Sequence, residues 1–216
     1  MGYRTYLELI PELIADKEIL SSEMMKEVDR CGQAIDLAAS GRTVSLVCGG
    51  DPGIYAMAGL VLEMLQAHGH DIAVEIVPGI AALNACAAGL GAPLMHDFAA
   101  ISLSDLLTPW EMIEKRLKAA AAADFVIVIY NPKSKKRTEQ IVRARDIVMA
   151  ERGPDTPAGV VTAATRDDEK IQLTTLNKLL DCDIGMQSCV IIGNSQTFMW
   201  RQMMITPRGY ARKYEI

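Results

Sequence analysis

Short apolar runs alternate along the chain with stretches whose apolar positions recur every three or four residues. From Met24, the positions Met24, Val28, Cys31, Ile35 and Ala38 form one face of a helix that Gly41 can end. TVSLVC (43–48) is short, rich in β-formers and bounded by glycine, which predicts a buried strand. Met57, Leu60, Val61, Met64 and Leu65 mark a second amphipathic helix closed near Gly69. DIAVEIV (71–77) predicts the next strand, and PGIAALNACAAGLG (78–91) a helix built from small residues. This β-α-β-α order argues for a parallel sheet with helices on its faces.

GAPLMHDF (91–98) breaks the periodicity, and a domain boundary is expected near residue 98, giving domains 1–98 and 99–216. Beyond it, AAISLS (99–104) and DFVIVIY (124–130) predict strands. Thr108-Pro109-Trp110-Glu111 has the form of a capping box with proline at the first helical position. A helix follows over roughly 136–150, and PAGVVTAAT, KIQLTTL and SCVIIGN supply further strands. The second half therefore predicts a mixed α/β unit.

GGDPGIY (49–55) sits between a strand and a helix. Asp51 before Pro52 has the form of a helix N-cap with proline behind it. The same glycines leave main-chain N–H groups bare for a ligand at a strand end, where α/β folds bind ligands. Three other strand exits carry turn chemistry: Pro78 to Ala82, Tyr130-Asn131-Pro132, and Thr162 to Arg166. No GxxxxGK[ST] loop, complete GxGxxG, HExxH, paired Cys/His spacing or GxSxG elbow is found, so those nucleotide, metal and hydrolase chemistries have no motif.

Composition narrows the partners. With 216 residues the chain can bury a substantial core, and a net charge of −5 gives no general reason to bind nucleic acid. An anionic partner must meet a local basic cluster, for which Lys133, Lys135, Lys136 and Arg137 are the candidates. The five cysteines form no CxxC pair, and no apolar run reaches about 18 residues. A protein of the reducing cytoplasm, outside the membrane, is the expectation. His96, Asp97 and Asp105 are the acid–base candidates, His96 being the group whose charge changes near neutral pH.

GGDPGIYAMAGLVLE, VPGIAALNA, GAPLMHDF, ISLSDLLTPW, FVIVIYNPKS and ITPRGY, in this order and spacing, resemble the tetrapyrrole (precorrin) methylases. Within them they are similar to the branch that methylates ring carbon 17 of precorrin-3B, or of its cobalt-containing counterpart, with contraction of the macrocycle to precorrin-4. The resemblance implies a two-domain α/β fold, a parallel-sheet first domain and a mixed-sheet second one, with S-adenosylmethionine in the cleft and a homodimer. It implies that Gly49, Gly50, Asp51, Ile54, Ala81, Ala82, Asn131 and Ala164 line the cofactor. Ser102, Ser104, Lys133, Lys135 and Arg208 are then expected to meet the anionic tetrapyrrole, and His96, Asp97 and Asp105 to move protons during contraction.

Family members carry a first strand and a GxGPG loop ahead of the equivalent of Gly2-Tyr3-Arg4-Thr5-Tyr6, and this chain begins MGYRTYL. The first domain is thus expected to lack its first strand and to expose an unpaired strand edge. Weaker cofactor binding, a misfolded first domain or compensation through a dimer would follow. A non-catalytic tetrapyrrole-binding remnant remains the other reading.

Overall fold

The computed structural model describes residues 1–215. The chain divides into two compact units, Met1–Ala81 and Ala82–Ile216.

The first unit comprises β1 (Gly2–Tyr3), α1 (Arg4–Leu7), α2 (Pro11–Ile14), β2 (Ser21–Ser22), α3 (Glu27–Ala39) and α4 (Ala58–His68). β1 and β2 pair in parallel, and Gly2 forms a parallel bridge to Val47. Both long helices end as their glycines predict. Gly41 and Gly69 adopt left-handed φ values of 88° and 68°, and Arg42 and His70 donate back to the carbonyls of Leu37 and Leu65. This six-to-one bond satisfies carbonyls that a helix end leaves open. The buried face of α3 centres on Cys31, Ala34 and Ile35, whereas Met24 and Val28 lie in solvent.

Two expectations for this unit change. Residues 43–48 and 71–77 form no ladder beyond the Gly2–Val47 bridge. Both segments line a cavity of about 810 Å³, together with Ala34, Ile35 and Ala38 of α3 and Val61 and Leu65 of α4. Backbone that faces a cavity meets no neighbouring strand there, so β-rich sequence alone does not complete a sheet. The helix expected from Pro52 begins only at Ala58, with Met57 at its N-cap position. Asp51 does not cap it.

The second unit holds α5 (Ala82–Leu90), β3 (Gly91–Ala92), β4 (Phe98–Ser102), α6 (Trp110–Ala122), β5 (Val126–Tyr130), α7 (Glu139–Glu151), β6 (Pro157–Thr162), β7 (Lys170–Thr175), β8 (Ser188–Ile192), β9 (Phe198–Trp200) and β10 (Met203–Ile205). Its main sheet runs β4-β5-β8-β6-β7, and a small one runs β3-β10-β9. β4 is parallel to β5, and β8 is antiparallel to both β5 and β6, so β4, β5 and β6 all point the same way.

β5 and β8 are central and apolar on both faces, which VIVIY and SCVII require. Alternate residues Ile127, Ile129, Val190 and Ile192 join one core with Ile113 and Leu117 of α6 and Ile141 and Val148 of α7. On the other face Leu90 of α5 sits where a side chain at Gly159 would be, since a Cβ there would lie 2.3 Å from Leu90 Cδ2. One turn earlier, Cys86 interacts with Cys189 of β8: the interaction of the two thiols holds Cys86 below its ordinary pKa and, with burial, pushes Cys189 well above it. Arg152, itself buried, donates to the carbonyls of Gly193 and Phe125 and thereby ties the end of β8 to the entry of β5.

The capping box at Thr108 is not formed. Pro109 takes the N-cap position of α6, and no side chain caps it, because the proline ring carries no acceptor for the N–H groups of the first turn. The 133–137 cluster does not open a helix either, since α7 begins at Glu139.

Candidate active site

In the first unit the 49–55 loop is knotted by Asp51. Its two carboxylate oxygens accept the N–H of Gly53 at 2.8 Å and that of Gly79 at 3.1 Å. Gly50 has φ +82°, a conformation few side chains tolerate. A Cβ on Gly79 would lie 2.3 Å from the Gly50 carbonyl oxygen, so the two loops approach backbone to backbone. Gly49, Gly50 and Asp51 thus form one bare surface with Gly79, and Ile54 is partly exposed beside them. Ala81, at the other end of the 78–81 turn, is buried.

In the second unit the common direction of β4, β5 and β6 puts their carboxyl ends on one edge of the sheet. Asn131 leaves β5 with φ +49° and donates its side-chain amide to Ser102 Oγ at 3.0 Å. The Ser104 N–H donates to the same hydroxyl at 3.2 Å, leaving the Ser102 O–H to donate elsewhere. Ala164 follows β6 between two further left-handed residues, Ala163 (φ +51°) and Thr165 (φ +63°). Left-handed backbone at the ends of β5 and β6, the two strands that flank β8, is the kind of feature that gathers at ligand sites. Ala82 opens α5, and the Leu83 N–H in its first turn donates to Tyr130 Oη at 2.9 Å. Five expected residues, Ser102, Ser104, Asn131, Ala164 and Ala82, therefore belong to one edge.

Asp105 lies just past the same edge, where the Gln140 side-chain amide donates to it at 2.8 Å. His96 and Asp97 do not join it. They precede β4, about 17–20 Å from that edge along the five-residue strand. The Asp97 N–H donates to His96 Nδ1 at 2.8 Å, and the same nitrogen lies 3.6 Å from the Asp97 carboxylate, so the two residues engage each other locally. Lys133 is half-buried and Lys135 exposed in the loop after β5, while Arg208 is exposed after β10.

Several contributors escaped the sequence reading. Tyr130 caps α5, Gln140 holds Asp105, and Arg137 is buried with its Nη2 donating to the Asn131 carbonyl at 2.8 Å. Arg137 read as one more cation of the cluster expected to meet an anionic partner, and nothing in its local sequence marks it for burial.

A family model described as Tetrapyrrole (Corrin/Porphyrin) Methylases matches residues 1–180. The chain belongs to this family. It is 51% identical over its full length to the cobalt-factor III methyltransferase of Priestia megaterium, yet spans only 41% of that protein. It is 40% identical to the precorrin-3B C(17)-methyltransferase of a Sinorhizobium species, with 97% of this chain and 85% of that one aligned. The crystal structure of the methyltransferase CobJ superposes with a TM-score of 0.88 at 37% identity, over 95% of this chain and 87% of that one. The two-domain α/β architecture is that of the tetrapyrrole methylases.

Proposed function

We propose that this chain catalyses C(17)-methylation of a precorrin-3-level tetrapyrrole, precorrin-3B or its cobalt-containing counterpart, with S-adenosylmethionine as donor and ring contraction at the same stage. The observation that carries the reading is the sheet edge. Asn131, beside the Ser102 hydroxyl, and the residues flanking Ala164 at the end of β6 hold left-handed backbone there. High identity to relatives named for this step supports it.

S-adenosylmethionine, when bound, supplies an electrophilic methyl group that passes to the ring carbon by in-line displacement. The residues present fit such a donor, because Gly49, Gly50 and Gly79 are exposed and present main chain without side chains, in a loop that Asp51 holds fixed. Methyl transfer needs alignment more than an activated nucleophile, and fixed turns give alignment. Gly49 to Asp51, Ile54 and Ala81 in the first unit, with Ala82, Asn131 and Ala164 in the second, are the proposed donor contacts. Lys133, Lys135 and Arg208 are proposed to meet substrate carboxylates, and Ser102 and Ser104 to donate to its polar edge. Among the three acid–base candidates, Asp105 shares the edge with these groups, so proton transfer in contraction is assigned to it ahead of His96 and Asp97. A homodimer in the cytoplasm completes the reading; among the described residues no helix is long and apolar enough to cross a membrane.

The test is transfer of a labelled methyl group from S-adenosylmethionine to precorrin-3B and to cobalt-factor III, followed by mass spectrometry of the macrocycle. Methylation of neither by the folded protein would refute the proposal.

A further inference from the structure

We infer that Arg137 is a positioning residue whose buried guanidinium holds the Asn131 turn in its left-handed form. Asn131 is strained twice over. Its φ of +49° lies in the left-handed region, which Asn tolerates better than most side chains but which still costs energy, and it precedes Pro132, whose ring disfavours helical conformations at the residue before it. Such a conformation persists only where the surroundings over-determine it. Two bonds do so here: the side-chain amide is held by Ser102 Oγ at 3.0 Å, and the carbonyl by Arg137 Nη2 at 2.8 Å. Arg137 is itself fixed, since its N–H donates to Ser134 Oγ at 3.0 Å and its carbonyl accepts the Ser134 N–H at 2.9 Å.

The guanidinium has features that a surface cation lacks. It is 9% exposed, it makes no ion pair among the described residues, and its Nε is buried without a hydrogen-bond partner. Burying a cation and leaving a donor unpaired both oppose folding. The arrangement therefore sacrifices stability to fix one carbonyl. Fixing the 131–132 peptide fixes the direction of the Asn131 side chain, and on the reading proposed above this is a donor contact. Lysine cannot substitute fully, because a flexible ammonium lacks the planar fork that orients the bond.

The test uses Arg137→Lys and Arg137→Gln in the intact chain, with two readouts. NMR follows the Asn131 backbone and side-chain amide without ligand, and calorimetry measures S-adenosylhomocysteine binding. In Arg137→Gln the Asn131 signals shift, its side-chain amide exchanges faster, and affinity falls about tenfold or more; Arg137→Lys lies between. A purely structural role would lower the unfolding midpoint and leave the Asn131 signals of the folded fraction in place, which would overturn the inference. If the glutamine variant does not fold, the lysine variant decides by the same criterion. Displaced Asn131 signals with unchanged S-adenosylhomocysteine affinity would uphold the positioning role and instead remove Asn131 from the donor site.

Discussion

Asp51 and Gly79 lie 28 residues apart in the chain and are joined by a 3.1 Å hydrogen bond from the Gly79 N–H to the Asp51 carboxylate. Because the other carboxylate oxygen holds Gly53, one side chain fixes the shape of both loops. Asp51→Ala is expected to cost about 1–3 kcal/mol of stability and to weaken S-adenosylhomocysteine binding together with it. Gly79→Ala should be comparably damaging, because its Cβ would meet the Gly50 carbonyl at 2.3 Å. Urea unfolding and calorimetric titration check both, and an alanine at 79 that binds normally would contradict this close approach.

Arg152 holds the carbonyls of Gly193 and Phe125 from a buried position, with Asp124 at 3.9 Å. Burial pushes its pKa down, and Asp124 partly offsets this. Arg152→Met leaves those carbonyls unpaired and is expected to lose about 2–4 kcal/mol in urea unfolding. Activity per folded molecule should change little, since Arg152 is at the opposite end of β8 from Ser188, whose hydroxyl lies 2.7 Å from that of Thr162.

The cavity in the first unit is open to filling. Ala38 lines it from α3, so Ala38→Leu should raise stability by about 0.5–2 kcal/mol. A lower midpoint in thermal unfolding would mean the space is unsuited to an added side chain.

Burial pushes the Cys31 thiol above its ordinary pKa, with Arg30 partly opposing. A raised folded-state value stabilises the protein fully below the unfolded pKa, about 8.5, and the contribution is lost as pH rises toward the folded value. Unfolding free energy should therefore fall above about pH 8.5, and Cys31→Ala should flatten the decline. Equal slopes for the two proteins would assign the alkaline loss to other groups.

Lys133 and Lys135 follow β5 and are proposed to meet substrate carboxylates. Replacing both with glutamine should raise KM for the tetrapyrrole several-fold and reduce its salt dependence, with kcat little changed. Steady-state assays at two ionic strengths separate this from a general loss of activity.

The periodicity of the chain by itself determined most of the second unit. β5, β6, β7 and β8 fall within DFVIVIY, PAGVVTAAT, KIQLTTL and SCVIIGN; the buried β5 and β8 are apolar on both faces, and the edge strand β7 mixes polar with apolar positions. The ends of α3 and α4 were equally legible, since a left-handed C-terminal residue calls for glycine. Tertiary structure alone decided the rest. Residues 43–48 and 71–77 have strand-forming side chains, but a ladder needs a neighbour, and most of their length faces a cavity. Asp51 reads as a helix cap, but the N–H groups within its reach belong to Gly53 and Gly79. His96, Asp97 and Asp105 are close in sequence, yet a strand between them carries His96 and Asp97 to one edge of the sheet and Asp105 to the other. Arg137 reads as one of four cations available to an anionic partner, and only the fold buries it against the Asn131 carbonyl. Local sequence encodes which conformation a segment prefers; which donor meets which acceptor depends on residues far along the chain.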